Sequence, residues 1–421
     1  MNTFSINKNC RRVAFISTHG CPLMTPGMRS AGGMNVFLRR IAPLLSRQGI
    51  LVDIFTRCHH VGGPEIFQFD QNSHIFHLPA GNPQISKDEI TKHLDEFTGN
   101  LLDFISDNEL SYDLVHSHYW LSASAGQSLA NYLGVPHLFT FHTSAEIKER
   151  SGGHKEGSYR KQNEANIAVT ADGIITFTEE ESHAMHRIYG TEVNKTNAVQ
   201  LGVDSKLFHP GSQSDSRLRL GLSPDSKIIL FVGRIEYFKG PELLLSAVAQ
   251  MQNLDDVKIL FVGGDVGDSS LIWLKGIASK LGVYEKIIWH PAVPQATLPD
   301  YYIASDLCAI PSLNETFGLV ALEAMACRTP VVSFDIGGLK SIVVNEVTGY
   351  RVPPGDIIEM GNKFQKILFD NNLAKNLGDH SFEHSKYFSW EHSAHELSKI
   401  YRSYVTSESS YAALQPNEKL A

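Results

Sequence analysis

The sequence predicts an α/β protein made of two doubly wound, parallel-sheet domains that face each other across a cleft. Three observations carry that expectation. Short β-branched or aromatic runs punctuated by Gly and Pro alternate with longer helical patterns from end to end, the rhythm of strands joined by crossover helices. The rhythm runs twice, on either side of the polar, turn-rich segment Phe208-His209-Pro210-Gly211-Ser212-Gln213-Ser214-Asp215, the expected linker. The length of 421 residues suffices for two hydrophobic cores of ordinary size.

Strands are expected in the first half at 13–16, 51–55, 74–78, 114–116, 137–141 and 174–177, and in the second at 228–232, 257–262, 287–290, 307–310 and 331–334. Domain limits of 1–207 and 208–390 follow, and 391–421 is expected to be a final helix with a loose, Ser- and charge-rich tail from about 407. Doubly wound sheets bind ligands beyond the carboxyl ends of their strands. The residues that follow each strand are therefore the candidates for chemistry.

Composition narrows the function. With 37 Lys+Arg against 45 Asp+Glu, the net charge of −8 disfavours a nucleic-acid surface, so an anionic ligand must be held by a local pocket. Cys10, Cys21, Cys58, Cys308 and Cys327 are scattered without a CxxC pair, which fits a reduced interior. The first apolar run, 13–16, is far shorter than a signal-peptide core, and no stretch approaches the ~18 apolar residues of a membrane span. A cytoplasmic protein without stable membrane insertion is expected. His59-His60 and the His183/His186 pair lack Cys or carboxylate companions at ligand spacing, and no catalytic metal is expected.

The first strand is followed by His19-Gly20-Cys21-Pro22 and then Ser30-Ala31-Gly32-Gly33-Met34-Asn35, with a helix opening at about Val36. Paired glycines between strand and helix let backbone N–H groups approach a phosphate, although a plain turn explains them equally well. The spacing is not GxGxxG, and Asp53 is read as a strand residue, so dinucleotide binding is disfavoured. Helix 35–47 carries Arg39, Arg40 and Arg47 beside Phe37, Leu38, Leu44 and Leu45; a solvated face over a buried stripe is favoured over an interfacial membrane helix.

His116-Ser117-His118-Tyr119-Trp120 ends one strand and Thr140-Phe141-His142-Thr143 the next, two histidine-bearing ends side by side. In the second half Gly233-Arg234-Ile235-Glu236-Tyr237-Phe238-Lys239-Gly240-Pro241 sets a guanidinium fork and an ammonium at a strand-to-helix turn, which suits a diphosphate. Glu315 and Glu323 follow in SLNETFGLVALEA, the first in a turn and the second inside a helix beginning near Phe317, whose free N–H groups favour an anion.

In combination the motifs RVAFISTHGCPL, SAGGMNVF, YDLVHSHYWLS, FHTSAEIK, FVGRIEYFKGPELL and NETFGLVALEA resemble those of the retaining GT-B glycosyltransferases of family 4. Within that family the chain looks most like the mycothiol-pathway branch that joins N-acetylglucosamine from UDP-GlcNAc to inositol phosphate. The resemblance covers nearly the whole chain. It implies a Rossmann-like acceptor-binding domain at 1–207, a Rossmann-like nucleotide-sugar domain at 208–390, and a last helix packed back on the first domain.

By the same resemblance, Gly32 and Gly33 approach the donor pyrophosphate while Arg234 and Lys239 neutralise it as the sugar–phosphate bond breaks. Glu323 holds the ribose hydroxyls, Glu315 with Phe317, Gly318 and Leu319 meets the donor, and backbone near Val293 grips the uracil. His142 sits near the reacting carbon, so the implied catalytic set is His142, Arg234, Lys239 and Glu315. Lys87, Tyr119, Thr143 and Arg160 align with the cluster that binds the acceptor phosphate, and His19 and Asn35 with positions that touch the cyclitol. Thr25 and Ser30 depart from the branch, which has Gln and Asp there.

The implied reaction retains the anomeric configuration and lets the leaving phosphate deprotonate the acceptor. It needs no cofactor beyond the UDP-sugar substrate. A homodimer is one expected assembly. The alternatives are UDP-glucose or another NDP-sugar with a hexose phosphate such as fructose 6-phosphate, an aminocyclitol or a phosphatidylinositol head group as acceptor. More remote are a glycoside hydrolase built on Glu315 and Glu323 and an export-type sugar-binding protein.

Overall fold

A computed structural model describes residues 10–26, 31–59, 66–70, 73–152, 155–264 and 269–406. Ser30, His60 and the tail from 407 lie outside the described residues. The first sheet contains β1 (Arg12–Ile16), β2 (Leu51–Arg57), β3 (Ile66–Asp70), β4 (Ser73–Leu78), β5 (Leu114–His118), β6 (His137–Thr140), β7 (Gly173–Thr176) and β8 (Thr196–Ala198), in the order β3-β4-β2-β1-β5-β6-β7-β8. All neighbours are parallel except β3, which runs antiparallel to β4. The second sheet is wholly parallel, with β9 (Lys227–Val232), β10 (Val257–Val262), β11 (Ile287–His290), β12 (Leu307–Ile310), β13 (Val331–Phe334) and β14 (Gly349–Val352) in the order β11-β10-β9-β12-β13-β14. Strand order reverses between β1 and β5 and between β9 and β12, and these two crevices build the site.

The central strands are apolar because both of their faces are covered. Val13, Phe15 and Ile16 in β1 and Ile228, Ile229 and Leu230 in β9 are fully buried, each contributing about 1.5–3 kcal/mol relative to an exposed side chain. The strands without a clear sequence signal are the ones that lack such a run. β3 is an antiparallel edge strand, β8 has only three partly exposed residues, and β14 is Gly-Tyr-Arg-Val.

Helix Gly33–Arg47 starts ahead of its expected opening at Val36. Arg39 donates to the carbonyls of Pro22 at 2.7 Å and Met24 at 2.8 Å, and Arg40 pairs with Asp204 at 2.6 Å, so two of its cations face protein and not lipid headgroups. No helix among the described residues is long and apolar enough to cross a membrane. The segment at 208–215 is ordered: Phe208 is buried against Tyr302, and Ser212 Oγ caps helix Gln213–Leu220 through the Asp215 N–H.

The chain crosses back where Val203 N–H meets the Phe388 carbonyl at 3.2 Å. Helix Trp390–Thr406 then packs on Gly33–Arg47, with Trp390 against Phe37 and Tyr401 Oη 2.6 Å from His116 Nδ1 on β5. The largest apolar cluster runs unbroken from Phe37 through Val203 and Phe208 to Tyr302 and Leu322. The two sheets are thus joined by buried apolar surface behind the cleft.

Candidate active site

Between the sheets lies a cleft of about 260 Å³. His19, Gly32, Gly33, Asn35, Lys87, Tyr119, His142 and Thr143 line it from the first sheet, and Arg234, Lys239, Val293, Glu315, Phe317, Gly318, Leu319 and Glu323 from the second. Arg160 is absent from the wall and stands behind Thr143.

On the second sheet, β9 leads into the turn that carries Arg234 and Lys239. That turn ends on Gly240 at φ +67°, where a Cβ would come within 2.0 Å of the Pro311 carbonyl oxygen, so only glycine lets the two backbones approach. Helix Pro241–Ala249 follows, with proline in its first turn. Lys239 Nζ lies 2.6 Å from Glu315 Oε2, and Arg234 pairs with Glu236 at 2.5 Å. Facing them, Gly32 offers no side chain toward Arg234 and Gly33 none toward Leu319, which keeps the gap open for a ligand.

Helix Leu319–Ala326 begins two residues later than Phe317 because Gly318, at φ +111°, turns the chain into it. No side chain caps this helix, so its first N–H groups remain available to an anion in the cleft. Glu323 is buried one turn in, accepting from Tyr302 Oη at 2.8 Å and Gln295 Nε2 at 3.1 Å. Burial pushes its carboxyl up to about 7 despite both donors. Gln295 in turn accepts from Arg40 of the first sheet at 3.3 Å. Glu315 and Glu323 therefore occupy unlike settings, one paired with an ammonium and one held by neutral donors.

The first sheet presents a cationic corner. Tyr119, at φ +67°, follows β5, and its ring takes Lys87 at 4.2 Å and Arg160 at 5.1 Å from the centroid; Lys87 also donates to its hydroxyl at 2.8 Å. The two cations differ in how they are balanced. Arg160 is paired with Glu164 at 2.7 Å and Glu156 at 3.1 Å and donates to the Thr143 carbonyl at 3.1 Å. Burial alone would lower its pKa, but Tyr119, Glu164 and Glu156 outweigh that and raise it. Among the described residues no carboxylate lies at ion-pair distance from Lys87. Burial first, then the positive charge of Lys87 and other neighbours, pulls His19 well below the usual imidazole range, so it is neutral. Asn35 lines the cleft, yet its amide also holds the loop, accepting from Gly32 N–H at 2.9 Å and donating to the Cys21 carbonyl at 2.8 Å.

His142 sits between the two corners at φ +57°, its ring packed on Phe37 and Phe177. Its Nε2 is 3.2 Å from His118 Nδ1, and burial lowers its pKa to about 3. Thr316 Oγ1 donates to the His142 carbonyl at 2.9 Å, bridging the cleft. Sequence reasoning did not assign Gln295, Tyr302, Phe238 or His118 to the site. His118 carried a signal as one of the paired histidine strand ends, and Phe238 stands inside the FVGRIEYFKGPELL motif; Gln295 and Tyr302 stand 28 and 21 positions from Glu323 with no motif around them.

Residues 31–207 match the family described as Glycosyltransferase Family 4, and residues 212–384 that of Glycosyl transferases group 1. The D-inositol 3-phosphate glycosyltransferases of Xylanimonas cellulosilytica and Corynebacterium jeikeium are 35% and 37% identical to the chain over 402 residues, covering 93% of it and 96% of each of them. The chain is a family 4 glycosyltransferase. Among solved structures, the sucrose-phosphate synthase of Thermosynechococcus elongatus matches this glycosyltransferase with a TM-score of 0.87 at 31% identity, covering 93% of this chain and 98% of that one. Anabaena HepE, solved with UDP-glucose, matches at a TM-score of 0.75 and 18% identity, covering 93% and 99%. That likeness shows the shared GT-B fold.

Proposed function

We propose that the enzyme moves a sugar, N-acetylglucosamine by preference, from a UDP-sugar to a hydroxyl of a phosphorylated polyol such as inositol phosphate, with retention of configuration. The observation that carries this reading is the unbalanced Lys87 on Tyr119, facing the cleft opposite the Arg234/Lys239 turn. One anion site on each sheet suits a donor diphosphate and an acceptor phosphate at once. The named relatives support it, since D-inositol 3-phosphate is a phosphorylated polyol and the product that names the sucrose-phosphate synthase also carries a phosphate. The scattered cysteines Cys10, Cys21, Cys308 and Cys327, none of them in a disulfide, support a reducing, cytoplasmic setting.

In this mechanism the diphosphate lies among Gly32, Gly33, Arg234, Lys239 and the mouth of helix Leu319–Ala326, and Glu323 accepts the ribose hydroxyls. Charge gathers on the leaving diphosphate as the glycosidic carbon becomes oxocarbenium-like, so the cations and N–H groups act where charge develops. A protonated imidazole beside that carbon would oppose its positive charge; burial keeps His142 neutral. Glu315 is engaged by Lys239 and His142 is too weak a base, which leaves the departing phosphate oxygen to take the acceptor proton on the same face. Water is kept out by cleft closure, for which the Thr316–His142 bridge is one latch.

A second reading, a hexose phosphate acceptor with a UDP-glucose donor, is favoured by the 0.87 match to sucrose-phosphate synthase. A screen of UDP release that crosses UDP-GlcNAc and UDP-glucose with inositol phosphate, fructose 6-phosphate and unphosphorylated inositol separates the readings. Release with UDP-GlcNAc and inositol phosphate is the expected result. Release with UDP-glucose and fructose 6-phosphate alone selects the second reading, and release with neither phosphorylated acceptor rejects both.

A further inference from the structure

We propose that Cys21, His59 and His77 form a site for one borderline-soft divalent cation, zinc foremost, that staples the loop after β1 to the ends of β2 and β4. The three residues come from the carboxyl ends of three adjacent strands, in the order β4-β2-β1. Cys21 follows β1, His59 follows β2, and His77 is the penultimate residue of β4. Parallel register brings these ends level, so side chains far apart along the chain converge.

The ligand atoms all lie within 4.8 Å of one another. Cys21 Sγ is 3.4 Å from a ring nitrogen of His77, and the His59 and His77 rings are 5.5 Å apart. With Zn–S of about 2.3 Å and Zn–N of about 2.0–2.1 Å, ligand atoms around a tetrahedral ion stand roughly 3.3–3.7 Å apart, so only small side-chain movements close the set. One thiolate with two imidazoles is a zinc-type donor set and a poor one for magnesium or calcium, which need oxygen. Cys21 and His77 are buried while His59 is partly exposed, which gives an entry path and leaves water as the fourth ligand. The Leu23 N–H points at Cys21 Sγ from 3.5 Å, an outer partner that favours a thiolate.

Without a cation, burial holds the Cys21 thiol up near 11 and the cluster is a neutral thiol against an imidazole. On binding, the thiol proton leaves to solvent and the metal takes its place, with both imidazoles neutral. The consequence reaches the cleft through one residue. The Cys21 carbonyl accepts from Asn35, whose other amide end caps Gly32, so a fixed Cys21 fixes the glycine pair. None of the three ligands lines the cleft, so the cation lies outside the catalytic steps and acts by holding the loop. No spacing rule finds it from sequence, because Cys21 and His77 are 56 positions apart.

The test uses the full-length protein, stripped with a chelator, dialysed with zinc alone and assayed by elemental mass spectrometry. About one zinc per chain is expected for the wild type and a small fraction of that for Cys21→Ser and His77→Ala. Cobalt(II) in place of zinc is expected to give a near-ultraviolet thiolate-to-metal band that Cys21→Ser lacks. Should either variant fail to fold, the wild-type cobalt spectrum and the fall in Tm on chelation decide the matter. A wild type that retains no zinc, a cobalt complex without a thiolate band, or full zinc binding by both variants overturns the site.

Discussion

At the scale of single residues, Glu323 is held ready at a cost. A carboxyl pushed up to about 7 binds its proton in the folded state over a range, from about 4.5 to about 7, where the unfolded chain has released it. Its contribution to stability is therefore fully present below that range and is lost as pH rises through about 7. Glu323→Gln should raise Tm relative to wild type more at about pH 8 than at about pH 5, while donor KM rises at both. A Tm difference that does not depend on pH would show that the carboxylate is not strained. Arg160 calls for the opposite measurement. Its guanidinium is spent on Glu164, whose side chain is fully buried, so Arg160→Ala should destabilise the fold by roughly 3–5 kcal/mol in denaturant titration. A loss below about 1 kcal/mol would mean that Glu164 is satisfied by Ala145 N–H and Tyr189 Oη alone. Sequence alone gave Arg160 and Lys87 equal standing. The i,i+4 spacing of Glu156 and Glu164 about Arg160 is a local signal of a neutralised cation, and the burial that makes it decisive is visible only in the fold.

At the scale of elements, the turn after β9 and the mouth of helix Leu319–Ala326, tied by the Lys239–Glu315 pair, act as one clamp in the proposed mechanism. Arg234→Ala and Lys239→Ala should each lower turnover at least tenfold, a loss of about 1.4 kcal/mol or more, because each acts on the charge that develops in the leaving group. Wild-type turnover in either variant would remove the diphosphate from that turn. Gly318→Ala tests the mouth itself. Its φ of +111° strains any side chain, so the first turn must relax, and Leu339 Cδ2, 2.8 Å from the new Cβ, must move aside. Weaker UDP binding by calorimetry is the expected outcome, and unchanged binding would show that the helix mouth carries none of the donor. The motif NETFGLVALEA announces the helix-mouth half of this clamp, because local spacing sets Glu315, Gly318 and Glu323. The neighbourhood of Glu323 is less legible, since Tyr302 and Gln295 reach it only after β12 and its flanking helices have packed.

At the scale of the whole molecule, the alternation of apolar runs and helical patterns is enough to expect two doubly wound sheets, because every central strand is buried on both faces. What it leaves out are three of the four edges: β3, β8 and β14 pair on one side only and lack an apolar run, whereas the fourth edge, β11, keeps Ile-Ile-Trp and is legible. The last helix binds the ends of the chain together. Tyr401 reaches His116 on β5 and Trp390 reaches Phe37, so ending the chain before Trp390 uncovers part of the first sheet's core. The most direct measurement is the ratio of kcat/KM for inositol phosphate to that for inositol, with UDP-GlcNAc as donor, in wild type and Lys87→Ala. A large ratio that falls at least tenfold in the variant, about 1.4 kcal/mol, is expected if an unbalanced Lys87 selects the acceptor phosphate. A ratio that Lys87→Ala leaves unchanged would contradict an acceptor-phosphate site at Tyr119.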